Sequence, residues 1–115
     1  KFKDSLSVDV SLKYAAAEKG SFDVTEVYAT DGLNRKAGLT VLEDDLGFFP
    51  EYNGAFLLRE DTLRRFPGLD ETLNLLAGQI SNEDMVEMTY QVDVEKRTVD
   101  DVAQAFLVER GLLAS

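Results

Sequence analysis

Among the residues that could do chemistry here, two tyrosines stand out: Tyr28, in Glu26-Val27-Tyr28-Ala29-Thr30-Asp31-Gly32, and Tyr52, in Phe48-Phe49-Pro50-Glu51-Tyr52-Asn53-Gly54-Ala55. Each lies where an apolar, strand-like run breaks into turn residues, and such junctions are where a sheet presents side chains to a ligand. The face of an aromatic ring attracts a quaternary ammonium group, which has no N–H to donate, so aromatics at a loop mouth suit a betaine-like cation. On these grounds alone a structural role remains the stronger reading of both rings. Tyr14 and Tyr90 fall inside helical stretches, where a half-buried structural role is the default and replacement of Tyr14 should leave any ligand affinity nearly intact.

Other chemistry is narrowed by absence. The chain has no Cys and no His, which removes thiol catalysis, disulfides, Ser-His-Asp and Cys-His arrangements and the usual zinc ligands. The run Glu43-Asp44-Asp45 invites a metal or acid-base reading. A calcium loop, however, spaces its ligands around a glycine turn, and three consecutive acids do not converge in that way. A solvated strand end is the simpler reading. No glycine-rich phosphate loop is present, so the motifs call for no cofactor and no metal. Lys and Arg total 12 against 22 Asp and Glu, a net charge of -10, and that field repels phosphate backbones and makes nucleic acid a poor partner.

The elements that must position the tyrosines come from periodicity. At 115 residues the chain holds one core and no more. Strands are expected over residues 2–8, Phe22 to Ala29, Leu39 to Leu42 and Ala55 to Leu58. A helix capped by Ser11 should run from Leu12 to Lys19, with Thr30-Asp31-Gly32 read as the turn ending the second strand. From Glu60 onward the pattern is helical: Asp61 to Phe66, Asp70 to Ala77, Asn82 to Val92 and Val99 to Arg110. Ser81-x-x-Asp84 and Thr98-x-x-Asp101 mark two of the helix starts. Met85, Met88 and Val92 share one face, as do Val102, Ala103, Phe106 and Leu107, so both late helices need an apolar surface to cover. Strands first and helices last, with a helix between early strands, indicate an α/β layer incomplete at its N-terminal edge.

Six stretches, taken in order, resemble a known family: Val27 to Gly32, Leu42 to Asp45, Phe49 to Tyr52, Leu58 to Leu63, Leu76 to Ser81 and Tyr90 to Val94. Together they are similar to the C-terminal part of the osmoprotectant substrate-binding proteins of ABC importers, the binders of glycine betaine, carnitine and choline. The likeness runs from about Leu12 to Leu113 without gaps. It implies a two-lobed fold of the periplasmic-binding-protein type II class, with the ligand held in the cleft by a cage of aromatic residues. Tyr28 and Tyr52 match two cage positions, and Thr30, Asp31 and Asn53 become cleft-wall hydrogen-bonding candidates, though Asp31 serves equally well to hold the turn.

The same resemblance implies a division at residue 38, with 1–38 the end of the second lobe and 39–115 the return hinge crossing and the helices of the first lobe. Family members are more than twice this length, so the chain is expected to self-associate or to pair with an absent N-terminal portion. The expected partners are a small quaternary ammonium solute and an ABC permease. The expected location is extracytoplasmic, with tethering by a lipid anchor or by fusion to the permease. Some family members carry other betaine-like solutes such as ergothioneine. The rivals from other classes are a regulatory domain that binds a protein partner and a carboxylate-dependent hydrolase.

Overall fold

The computed structural model describes residues 2–114. A 3₁₀ turn over Val10–Leu12 leads into α1 (Lys13–Glu18), followed by α2 (Gly32–Lys36), α3 (Glu60–Arg65), α4 (Leu69–Asn74), α5 (Asn82–Asp93) and α6 (Val99–Glu109). The late helices start where their caps dictate. Ser81 accepts from the Asp84 amide, and the Asp84 carboxylate accepts in return from the Ser81 amide at 2.9 Å, a reciprocal box that satisfies two otherwise orphaned donors. Thr98 does the same for the Asp101 amide at the start of α6. At the other end of α6, Gly111 takes φ 69°, which lets the Leu112 amide turn back onto the Leu107 carbonyl at 2.9 Å. Pro67 follows the end of α3 and stops it.

Three expectations about the first half change. The cap before α1 is Asp9, whose carboxylate accepts from the Ser11 amide and hydroxyl, so Ser11 is a donor there and not the cap. More broadly, no strand forms among the described residues: residues 2–8, 22–29, 39–42 and 55–58 run as unpaired coil. A strand exists only through the ladder it shares with another, and these segments find none in this chain. Their apolar side chains stand in solvent, including Phe2, Leu6, Val24, Leu42, Phe56 and Leu57.

The segment read as a plain turn after the second strand contains a helix instead. Asp31 caps α2 by accepting from the Leu33 amide at 2.9 Å, and Arg35 and Lys36 sit in its last turn, where positive charge is favoured. What packing exists is centred here, with α2 against α5 and α5 against α6. Val102 is the one buried apolar side chain among the described residues. The radius of gyration is 18.1 Å, against about 13 Å for a compact chain of this size. This helical chain therefore carries apolar surface that it does not itself cover.

Candidate ligand-binding site

Three of the five candidate side chains come together. Tyr28, Thr30 and Asp31 line one open depression of about 500 Å³, with Leu33 and Lys36 from α2, Thr89 and Asp93 from α5, and Lys96 just beyond it. Tyr28 is 68% exposed, so its ring is available to a ligand. Tyr52 and Asn53 are not part of this wall. Tyr52 is 87% exposed and stands in the helix-free segment before α3, and Asn53 donates weakly to its neighbour Glu51 at 3.4 Å.

The backbone behind Tyr28 is held from two sides. On one side Asn34, which is 4% exposed, donates from Nδ2 to the Tyr28 carbonyl at 2.7 Å. That bond fixes the amide orientation and turns Asn34 Oδ1 toward the Tyr14 hydroxyl, 3.2 Å away. Tyr14 has one proton and gives it chiefly to Asp31 Oδ2. Burial, followed by the bond to the Asp31 carboxylate and the charge of that group, raises the Tyr14 pKa above its ordinary value, so this hydroxyl keeps its proton.

On the other side Thr89 joins the loop to α5. Its Oγ1 accepts from the Gly32 amide at 2.9 Å, while its own proton faces the carbonyls of Thr30, Met85 and Val86 at 3.0, 2.9 and 3.1 Å. Gly32 is buried, and a Cβ placed on it would lie 2.3 Å from the Tyr90 nitrogen, so only glycine lets α2 approach α5 this closely. Arg35 adds an ion pair to Glu87 at 2.9 Å and lies 4.2 Å over the Tyr90 ring.

Charge at the depression is mixed. Asp31 has both oxygens engaged, Oδ1 by Leu33 and Oδ2 by Tyr14, so the turn-holding role is realised, and its negative charge still faces the wall beside Tyr28. Lys36 and Lys96 stand on the rim, with Lys96 Nζ donating to the Asp93 carbonyl at 2.6 Å. Such a wall can face a zwitterion, with an aromatic and an acid toward the cationic end. Glu43-Asp44-Asp45 is not among the residues lining this depression. Asp44 Oδ2 accepts from the Phe49 amide at 2.8 Å, and that bond leads the causes holding its carboxyl below the usual range.

The sequence reading missed Asn34, Lys36, Thr89, Asp93 and Lys96. A signal existed for Asn34, since Asp31 followed by Leu33 and a basic last turn is a short capped helix. Thr89 was visible as a hydroxyl interrupting the apolar face of α5, but nothing local tells which backbone it meets.

Comparison with known sequences adds a deciding observation. The sequence profile of the substrate-binding domain of ABC-type glycine betaine transport systems matches residues 2–109. The chain belongs to that family. Family members are substrate-binding domains and not enzymes. Within the glycine betaine substrate-binding family, the chain is 36% identical over 106 residues to the carnitine transport binding protein OpuCC of Listeria monocytogenes, covering 92% of this chain and 34% of that protein. It is 32% identical over 111 residues to the ergothioneine transport permease/ergothioneine binding protein EgtU of Helicobacter pylori, covering 96% of this chain and 20% of the relative. The glycine-betaine-binding protein of Pseudomonas aeruginosa is 32% identical over 110 residues, with 96% and 35% covered. The chain thus spans about a fifth to a third of the length of the curated relatives it matches. Among the described residues no helix is long and apolar enough to cross a membrane.

Proposed function

We propose that this chain is the C-terminal part of the solute-binding component of an ABC importer, and that the whole protein captures a quaternary ammonium solute such as glycine betaine, choline or carnitine. The observation that supports this most is the exposed ring of Tyr28, standing beside the Asp31 carboxylate on a wall built by α2 and α5, in a chain of the glycine betaine substrate-binding family. A methylated ammonium desolvates against a ring face, and each well-placed ring contributes on the order of 0.5–2 kcal/mol, so several rings are required. Tyr52 is the second ring of this chain's share of the cage. It approaches Tyr28 once the segment around it is fixed by the rest of the fold. Thr30 and Asn53 serve as hydrogen-bonding groups of the cleft wall.

In this reading the protein is a two-lobed clamp of the periplasmic-binding-protein type II class, divided in this chain near residue 38. Residues 22–29, 39–42 and 55–58 pair there with strands from outside the chain, and closure of the lobes makes a shape that the permease recognises. The place of work is extracytoplasmic, with a lipid anchor or a fusion to the permease as the tether. The relative named for ergothioneine, a betaine, keeps that solute as the second candidate, because two rings set the preference for a methylated cation and leave the rest of the solute unread. Calorimetric titration of the intact protein that carries this chain with glycine betaine, choline, carnitine and ergothioneine tests the proposal. One of the four should bind, and Tyr28→Ala and Tyr52→Ala should each weaken that binding at least tenfold. Absence of binding across the panel, or unchanged affinity in both variants, overturns it.

A further inference from the structure

We infer that Tyr14 and Asn34 are positioning residues for ligand capture: they touch no ligand, and they hold the backbone of Tyr28 and the carboxylate of Asp31 in the arrangement the solute meets. This rests on the proposed role of Tyr28, and it replaces the expectation that Tyr14 is inert. The contacts form one connected set. Asn34 Nδ2 holds the Tyr28 carbonyl at 2.7 Å, Tyr14 donates to Asp31, and Asn34 Oδ1 lies 3.2 Å from the same Tyr14 hydroxyl. Asp31 in turn fixes the first turn of α2, which carries Asn34 back beneath the loop.

The loop thus closes on itself through two side chains, with Asn34 buried and Tyr14 half-buried. The loop lacks strand partners within this chain, so these bonds, the Asp31 amide on the Tyr28 carbonyl and the Thr89 contact hold the backbone from which the Tyr28 ring projects. Orientation matters because a cation is attracted by the face of a ring and repelled by its edge. A pre-set ring also spares the ligand the cost of ordering it. Removing the Tyr14 hydroxyl leaves the Asp31 carboxylate short of one donor and frees Asn34 Oδ1, which loosens the support without deleting any surface the solute touches.

The test is a double-mutant cycle in the intact protein carrying this chain, read by titration with choline and with glycine betaine. Tyr14→Phe should weaken binding roughly fivefold, the size of one net hydrogen bond. In the Tyr28→Ala background the same change should cost clearly less, because one of the two groups it positions is gone. A merely structural role would give equal losses in both backgrounds, and that result, like an unchanged affinity for Tyr14→Phe alone, overturns the inference. Asn34→Ala provides the same cycle should Tyr14→Phe fail to fold. If Tyr28→Ala itself leaves affinity intact, the role of Tyr28 falls and takes this inference with it, whatever Tyr52→Ala shows. If Tyr28→Ala weakens binding while the cycle is additive, only the positioning role is lost.

Discussion

The amide of Gly32 donates to the hydroxyl of Thr89 at 2.9 Å, joining residues 57 apart in sequence and bringing the backbones of α2 and α5 into direct contact. The loop carrying Tyr28, Thr30 and Asp31 is held by this joint together with its own bonds from Asn34 to the Tyr28 carbonyl and from Leu33 to Asp31.

Gly32→Ala should therefore be among the most damaging small changes in the chain. The added methyl would lie 2.3 Å from the Tyr90 nitrogen and 2.6 Å from the Tyr90 Cα, and a helix backbone is not the flexible end of a side chain that can step aside. Overpacking of this kind costs about 1–3 kcal/mol. Urea denaturation of the intact protein should show a lowered midpoint with an unchanged slope, together with weaker ligand binding as α2 is pushed away.

Thr98→Ala tests the start of α6 by itself. The Thr98 hydroxyl accepts from the Asp101 amide, and loss of such a cap costs about 1 kcal/mol. Thr98→Asp, which restores an acceptor and adds negative charge at the positive helix end, should recover most of that loss in thermal denaturation. Ligand affinity should not change, because Thr98 is not among the residues lining the depression.

Acid should loosen the α5–α6 pair. Asp84 accepts from the Ser81 amide and hydroxyl and lies 2.6 Å from Arg110, and these partners, the Ser81 amide first, hold its pKa below the ordinary value. A carboxyl whose pKa is lower folded than unfolded adds stability above its unfolded pKa, and that contribution is lost as pH falls through the folded value. Stability should accordingly decline as pH falls below the ordinary aspartate range, about 3.9, toward the lower folded value. Asp84→Asn should be less stable at neutral pH and show a flatter decline, which chemical denaturation across that range measures.

Expressed by itself, the chain should not behave as a well-mannered 12.8 kDa monomer. Leu42, Leu46, Phe48, Phe49, Phe56 and Leu57 are all exposed within one stretch, more apolar surface than a soluble monomer leaves bare. Size-exclusion chromatography with light scattering should report oligomers, and a dye that fluoresces on apolar surface should bind. A monodisperse monomer without dye binding would show that the stretch folds onto the chain.

The helices that the sequence foretold are those with local signals. Ser81 with Asp84 and Thr98 with Asp101 mark their own helix starts, and α5 and α6 begin where those caps place them. The expected strands depend on partners that periodicity does not supply, and in this chain they remain unpaired. α2 carried a local signal in its Asp31 cap and basic last turn, but it is only five residues long, and the Thr that ties it down lies far along the chain. Of the candidate site, Tyr28, Thr30 and Asp31 share a wall because they are near neighbours in sequence, whereas the position of Tyr52 relative to them depends on the intervening residues 39–51, which have no helix or strand of their own.

The guanidinium of Arg35 rests 4.2 Å over the Tyr90 ring. One aromatic surface of the protein thus already has a resident cation, so under the proposed function it is not open to a second. Of the two rings near α2, the Tyr28 ring is the one on the wall of the depression, while the Tyr90 ring is occupied from within the chain.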